Sequence, residues 1–374
     1  MRIMTTFCIK YLPLFFTLYS SWAQALIQCE QTTPEKNEVL NIIGNNITVG
    51  PDMPLGTVLY GGTISFPTEV HLRCSSPKPD TGTLKWMLGI DSVNSPLSNW
   101  AGPPLGGKVY ETNIPGVGIA IWYSGKAVTK ESPVMASEIQ VAIDVAAINY
   151  GMGGVFDFSL IKIGETPPGN YTIDSSLFPN MIRYYDPGTN VAGNFPIIAR
   201  RYQLSGSVNV VAKTCTTPDV NVPLGTHNAS VFSSAAGTPW VDASIKLTDC
   251  PTFSGYHSAY SRVNLATGDI PPTTNNQISV SLSPVNGIFD AENGIMNIIS
   301  SPESARGVSI QIAHGTPDTA TPQPFNFNSP SVVDLPKSGD STIIYPLVAR
   351  YVKTSSAFTA GVADGRVTFT VNYY

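Results

Sequence analysis

The sequence predicts an all-β protein of two β-sandwich domains in tandem. Three observations carry this. Charged residues are 13% of the 374 residues, while Gly (32) and Pro (31) are abundant, against about 25% charge in ordinary globular chains. No stretch sustains a 3.6-residue apolar period, but short apolar runs recur throughout. Clusters of Gly, Pro, Asn and Asp separate those runs, as between the strands of sandwiches.

The first segment, residues 1–25, reads as a secretory signal peptide. Arg2 and Lys10 supply its positive region, Tyr11 to Tyr19 its apolar core, and Ala23-Gln24-Ala25 its small residues at the cleavage site. The apolar run is too short to span a bilayer, which takes roughly 18–20 residues. Cleavage after Ala25 makes Leu26 the first mature residue and removes Cys8. The whole chain carries a formal net charge of −5. Losing two basic residues makes the mature chain more acidic still. This balance, without any basic patch, excludes nucleic acid as a partner.

Four cysteines remain: Cys29, Cys74, Cys215 and Cys250. Three connectivities can be drawn. If each domain folds alone, the pairs are Cys29–Cys74 and Cys215–Cys250. Each would stabilise its domain by roughly 3–4 kcal/mol in the chain-entropy picture. No C-x-x-C spacing suggests zinc. Oxidised pairs imply the periplasm or the exterior.

The mature chain is expected to divide near residue 212, giving domains 26–211 and 212–374. Gln203–Val211 reads as a closing strand and Lys213–Gly225 as an opening one. Expected strands of the first domain include Gly56–Leu59, Val70–Cys74, Gly118–Tyr123, Ile139–Val145, Phe156–Ile163 and Ile197–Tyr202. Those of the second include Val220–Val222, Ala243–Leu247, Ile278–Leu282, Val308–Ile312, Ile343–Val352 and Val367–Tyr373. A short helix or helical turn is possible near Ser301–Ala305. Phe195-Pro196-Ile197-Ile198-Ala199-Arg200 echoes Tyr345-Pro346-Leu347-Val348-Ala349-Arg350, which favours two related domains. In the last run, Val367, Phe369, Val371 and Tyr373 alternate with Thr368, Thr370 and Asn372. The sequence stops inside that strand pattern, an edge suited to pairing with another chain.

Motifs for catalysis are weak. Gly102-x-x-x-x-Gly107-Lys108 lacks the Ser/Thr of a phosphate loop, since Val109 follows. Ser75-Ser76-Pro77-Lys78 matches S-x-x-K, but Pro77 opposes the helix that chemistry needs. His71, His227, His257 and His314 are scattered, without metal-ligand spacing. No enzyme activity, cofactor or metal is expected.

The second domain resembles the pilin domains of chaperone–usher fimbriae. The resemblance rests on Thr214-Cys215-Thr216 with Asp219-Val220-Asn221-Val222 and Leu224-Gly225, on Trp240–Cys250, and on the close from Pro346-Leu347-Val348-Ala349-Arg350-Tyr351 to Val367–Tyr373. It implies an immunoglobulin-like sandwich lacking its last strand. A periplasmic chaperone would fill the resulting groove first. The donor strand of the next fimbrial subunit would then replace it during assembly at the outer-membrane usher. The implied groove residues are Val220, Val222, Val367, Phe369, Val371 and Tyr373.

A shaft pilin carries a short donor strand before its first cysteine, whereas here a whole extra domain precedes the pilin domain. The arrangement resembles two-domain tip adhesins of the type 1 fimbrial group. It implies a chain at the fimbrial tip that binds a host or environmental receptor, a glycan or a protein. The alternative is a structural tip or adaptor subunit that binds protein. Sugar sites combine amides and carboxylates with an aromatic face. Asn99 and Trp100 form one candidate set, and Asp186, Asn190 and Asn194 another. Trp86 and Trp122, by contrast, lie in strand-like runs and are expected to be core.

Overall fold

A computed structural model describes residues 26–374 apart from positions 44, 45, 104, 145 and 260. The signal peptide and Cys8 lie outside the described residues.

The chain is built almost wholly from strands. In order these are β1 (Ile27–Gln31), β2 (Lys36–Asn41), β3 (Asn46–Thr48), β4 (Val58–Ser75), β5 (Asp80–Ser92), β6 (Tyr110–Glu111), β7 (Val117–Tyr123), β8 (Lys126–Val128), β9 (Val134–Ile143), β10 (Ile148–Lys162), β11 (Gly169–Asp174), β12 (Asn180–Pro187), β13 (Val191–Gly193), β14 (Ile197–Ser205) and β15 (Ser207–Ala212). They continue with β16 (Val241–Asp242), β17 (Ile245–Leu247), β18 (Val263–Asn264), β19 (Gln277–Pro284), β20 (Ile288–Asp290), β21 (Ile295–Asn297), β22 (Val308–His314), β23 (Gln323–Pro324), β24 (Ser331–Asp334), β25 (Ile343–Tyr345), β26 (Leu347–Lys353) and β27 (Val367–Tyr373).

In the first half, a sheet in the order β13-β1-β4-β10-β7-β6 faces a five-stranded sheet in the order β2-β14-β12-β5-β9. Side chains alternate across each strand, so one face of each sheet can be apolar. Tyr60, Phe66, Phe156 and Phe158 from the first sheet meet Trp86, Leu88, Met181, Tyr185 and Tyr202 from the second in one buried cluster. A second cluster gathers residues from Cys215 to Tyr373. Its main strands run β16-β26-β22-β21-β20 and β24-β19-β27.

Both expected disulfides form. Cys29 and Cys74 face each other across β1 and β4, and Cys215 bonds Cys250. The two echoed segments enter comparable strands, β14 and β26, each flanked by a partner on both sides.

The structure corrects several expected strands. Val58 and Leu59 share one ladder with Val70–Cys74, because β4 pairs with β10 through three register shifts rather than turning back, while Gly56 and Thr57 precede the strand. Val220–Val222 belongs to no strand. The residues near Ser301–Ala305 form a turn closed by Ser304 N–H to the Ser301 carbonyl (3.2 Å). The short α-helix lies instead at Val231–Ser234.

One feature was not anticipated. The segment after Cys250 crosses to the first half. There β18 pairs in parallel with β4, Val263 opposite Gly62 and Asn264 opposite Thr63. His257 N–H donates to the Leu59 carbonyl (2.8 Å), Leu265 N–H to Thr63 (3.0 Å) and Thr48 N–H to Gly255 (2.9 Å). Val263 is fully buried and joins the first cluster. Arg262 pairs with Asp157 (3.2 Å) and stacks on Trp122 at 4.0 Å. Arg262 covers β10 at Asp157, Leu105 and Val109 pack on Ile161, and Lys162 reaches Gly50 and Pro51, so residues 156–162 of β10 are buried on both faces.

Candidate functional site

The second half carries a groove of about 1080 Å³. Its floor is apolar: Ile245, Leu282, Met296, Ile310, Ile312, Leu347 and Ala349. One wall is the start of β27, with Val367, Thr368 and Phe369. The other is the unpaired segment 219–225, with Val220 and Val222. Gly225, Tyr351, Ala363 and Asp364 also line an adjoining hollow of about 380 Å³, bounded by His227, Phe232 and Phe358. Burial pushes the Tyr351 hydroxyl above its ordinary pKa, and the Asp364 carboxylate adds to the shift.

The wall made by β27 is a half-used ladder. Its register with β19 sets Thr370 opposite Ser281 and Phe369 opposite Leu282. Val285 N–H donates to Arg366 (2.9 Å), and Tyr374 and Gln277 exchange bonds of 2.8 and 2.9 Å. Antiparallel ladders bond at alternate residues, so positions 366, 368, 370, 372 and 374 bond β19. The N–H and C=O groups of Val367, Phe369, Val371 and Tyr373 therefore point away from β19. At Tyr373 they meet the first half: its N–H donates to Asp52 Oδ2 (2.8 Å), and its carbonyl accepts from Asp52 N–H (3.2 Å). That leaves a backbone edge three residues long, at Val367, Phe369 and Val371. Between β27 and the facing segment 219–225 no ladder forms among the described residues.

The Asp52 contact is held by a buried lysine. Lys162 Nζ donates to the carbonyls of Gly50 (2.8 Å) and Pro51 (2.6 Å), while burial lowers its pKa. Gly50 is required there, since a Cβ would stand 2.2 Å from the Tyr373 carbonyl oxygen.

Of the six groove residues implied by sequence, four line the cavity. Val371 is half-buried just beyond it. Tyr373 is buried and stacks on Phe253 with centroids 6.2 Å apart. The floor residues were not named from sequence. The alternation Ile310, Ile312 in β22 and Leu347, Ala349 in β26 was the available signal.

The sugar-chemistry residues fall into two places. Asn94 Nδ2 donates to Ser176 O (3.0 Å) and Ser95 Oγ to Leu177 O (3.1 Å), fixing the chain before Asn99 near the start of β12. Asp186, Asn190 and Asn194 lie at or beyond its other end, where Pro187 pairs with Leu84. The intervening strand of eight residues spans about 25 Å, so the two sets do not converge. Asn99 is exposed, whereas Trp100 packs with Leu105, Val109, Ala120 and Ile161. Gly107 N–H closes that loop on the Trp100 carbonyl (2.8 Å), so the phosphate-loop look-alike is a turn.

Asn190 sits in the left-handed region (φ 55°), and its Nδ2 donates to Asp80 Oδ1 (2.7 Å) and Thr81 O (2.9 Å). Its amide nitrogen thus fixes a turn. Asp186 is half-buried and Asn194 exposed nearby. Trp86 is core. Trp122 is half-buried, with Nε1 on Ser159 Oγ (3.0 Å). No group of three or more His, Cys, Asp or Glu side chains could hold a metal among the described residues. No helix there is long and apolar enough to cross a membrane.

Residues 202–374 match the family model described as "Fimbrial protein". This part of the chain is similar to fimbrial protein domains. A "Fimbria adhesin protein" of Klebsiella pneumoniae is 23% identical over 97% of this chain and 99% of its own length. Among solved structures, the CupB6 tip adhesin of Pseudomonas aeruginosa is 16% identical, covering 93% of this chain and 95% of that one, with a TM-score of 0.35. The receptor-binding domain of the MrkD1P adhesin of Klebsiella pneumoniae is 17% identical, covering 50% and 97%, with a TM-score of 0.28. These relatives are described as fimbrial or tip adhesins.

Proposed function

We propose that the chain is the tip adhesin of a chaperone–usher fimbria. In this reading residues 26–211 bind the receptor and residues 212–374 accept a strand. The observation that carries it is the half-used edge of β27 beside the apolar floor. An extended strand entering the groove would bond the backbone groups of Val367, Phe369 and Val371. Its alternate side chains would descend onto Ile245, Ile310, Ile312 and Leu347. Main-chain bonds of this kind give affinity, and the pockets below give specificity. A periplasmic chaperone would supply that strand first and the next fimbrial subunit afterwards, at the usher. The receptor is a glycan or a protein on a host or environmental surface. The Asp186, Asn190 and Asn194 region is the better placed of the two candidate sets, because it lies at the end of the sandwich away from the fimbrial domain's contacts with β4.

The test uses the full mature chain. Without an added strand it should aggregate or be degraded, and an alternating apolar peptide of about nine residues should yield a soluble monomer. A stable monomer that needs no strand refutes the acceptor reading. The rescued protein is then screened on glycans and matrix proteins. Binding to protein alone overturns the glycan version.

A further inference from the structure

A loop of the first half and the groove of the second meet on one edge of β27. Val367, Phe369, Val371 and Tyr373 turn their N–H and C=O groups to the side away from β19. The first three form the free edge. The fourth is taken, since Asp52 Oδ2 accepts from Tyr373 N–H (2.8 Å) and Asp52 N–H donates to the Tyr373 carbonyl (3.2 Å). A strand laid along β27 would need those same two groups to pair at Tyr373. Its ladder therefore ends at Val371. From Val367 to Val371 the edge offers about 13 Å of strand.

The loop that takes these groups is pinned from both halves. Buried Lys162 holds the Gly50 and Pro51 carbonyls, and Gly56 N–H donates to the carbonyl of Lys162 itself (2.7 Å). Met53 is buried in the first cluster. From the second half, buried Asn276 donates through Nδ2 to the carbonyls of Thr48 (3.1 Å) and Tyr374 (3.2 Å). One amide thus clamps the chain just before the loop to the residue just after Tyr373. Buried polar groups satisfied in this way are costly to pull apart. At its other end the groove runs on: Ala363 and Asp364 lead past Gly225 into the hollow bounded by His227, Phe232 and Phe358.

We propose that residues 50–53 form an end-stop of the groove and so set the register of the incoming strand. The inference rests on the acceptor reading above. The occupant is an alternating apolar strand of another chain. Its paired segment ends opposite Val371, its remaining length lies toward the hollow, and its terminus, or a turn leading out of the groove, faces Asp52. Alternation alone does not fix such a strand, because a slip of two residues returns every apolar side chain to the same face. A strand slipped toward Tyr373 loses backbone bonds there and meets the loop. The first half thereby selects the register that the groove floor leaves open.

The experiment refolds the full mature chain with a peptide of about nine residues that alternates valine and threonine. Hydrogen exchange of the complex reads the edge. Asp52→Ala should speed exchange of the Tyr373 amide about tenfold or more and leave Val367, Phe369 and Val371 slow. Asp52→Asn, whose side-chain carbonyl can accept the same bond, should keep Tyr373 slow. The wild-type chain is also refolded with peptides carrying photo-leucine in place of the first, the central or the last valine. Adducts on residues 50–53 should arise from one terminal position and not from the centre. A Tyr373 amide that stays slow in Asp52→Ala, adducts from the central position, or none from either terminus overturn the end-stop and leave the acceptor reading standing. Failure of every peptide to rescue the chain removes the acceptor reading and this inference with it. If Asp52→Ala does not refold, the adducts on the wild-type chain decide.

Discussion

Cutting the chain after residue 211 should cost the first half much of its stability, although it contains both Cys29 and Cys74. The cut removes Val263 from the core and uncovers Leu59, Tyr60 and Asp157. Burial of a valine stabilises by about 1.5–3 kcal/mol. The bonds to Leu59, Thr63 and Thr48 contribute about 1 kcal/mol each, and the Arg262–Trp122 stack about 0.5–1 kcal/mol. The loss is therefore about 5 kcal/mol, comparable with the whole stability of a marginal domain. With a urea dependence of about 2 kcal/mol/M, the midpoint of residues 26–211 should fall about 2–3 M below that of the same region in the full chain. Tryptophan fluorescence follows the transition, since Trp86 and Trp122 lie in this half. Coincident midpoints would show that the β18 segment merely rests on β4.

Other outcomes follow from the same contacts. A groove-binding peptide N-methylated at every second amide should lose binding at least tenfold in one register and little in the other, because only alternate residues can bond Val367, Phe369 and Val371; titration calorimetry reads this, and equal losses would refute strand pairing. Lys162→Met should destabilise the chain by about 2–3 kcal/mol by leaving the Gly50 and Pro51 carbonyls unpaired, with faster proteolysis near residues 50–54; unchanged melting and cleavage would refute that role. Burial holds His71, His257 and His314 below the ordinary histidine pKa of 6.5. The unfolded chain then takes protons first, so stability is retained above about pH 6.5 and lost as pH falls below it. Melting curves between about pH 7.5 and 5 should show that fall, and His257→Phe should flatten it.

The sequence was legible where a local pattern is also the three-dimensional one. The alternation of Val367, Phe369, Val371 and Tyr373 against Thr368, Thr370 and Asn372 is the inward and outward division seen in β27. The cysteine pairs were legible because each closes within its own half. Val220 and Val222 misled because a strand needs a partner as well as a pattern, and among the described residues no strand pairs with them. Trp100 has the ring of a sugar platform, but a tryptophan that opens a tight loop can also pack on it, and a Cβ at Gly56 or Gly102 would meet the Trp100 ring. The β18 segment was illegible because Val263 is one apolar residue in a polar stretch. Nothing local marks its slot more than 200 positions earlier.

The excursion of β18 also bears on how such chains can be recombined. Two halves meeting near residue 212 look like interchangeable cassettes. Yet Arg262, Val263 and Leu265 are fitted to Asp157, Gly62 and Thr63. Grafting a new first half therefore means carrying residues 252–274 with it, as an internal patch within the recipient's second half. The inheritable module is discontinuous, and a junction chosen at the linker alone would separate a socket from its plug.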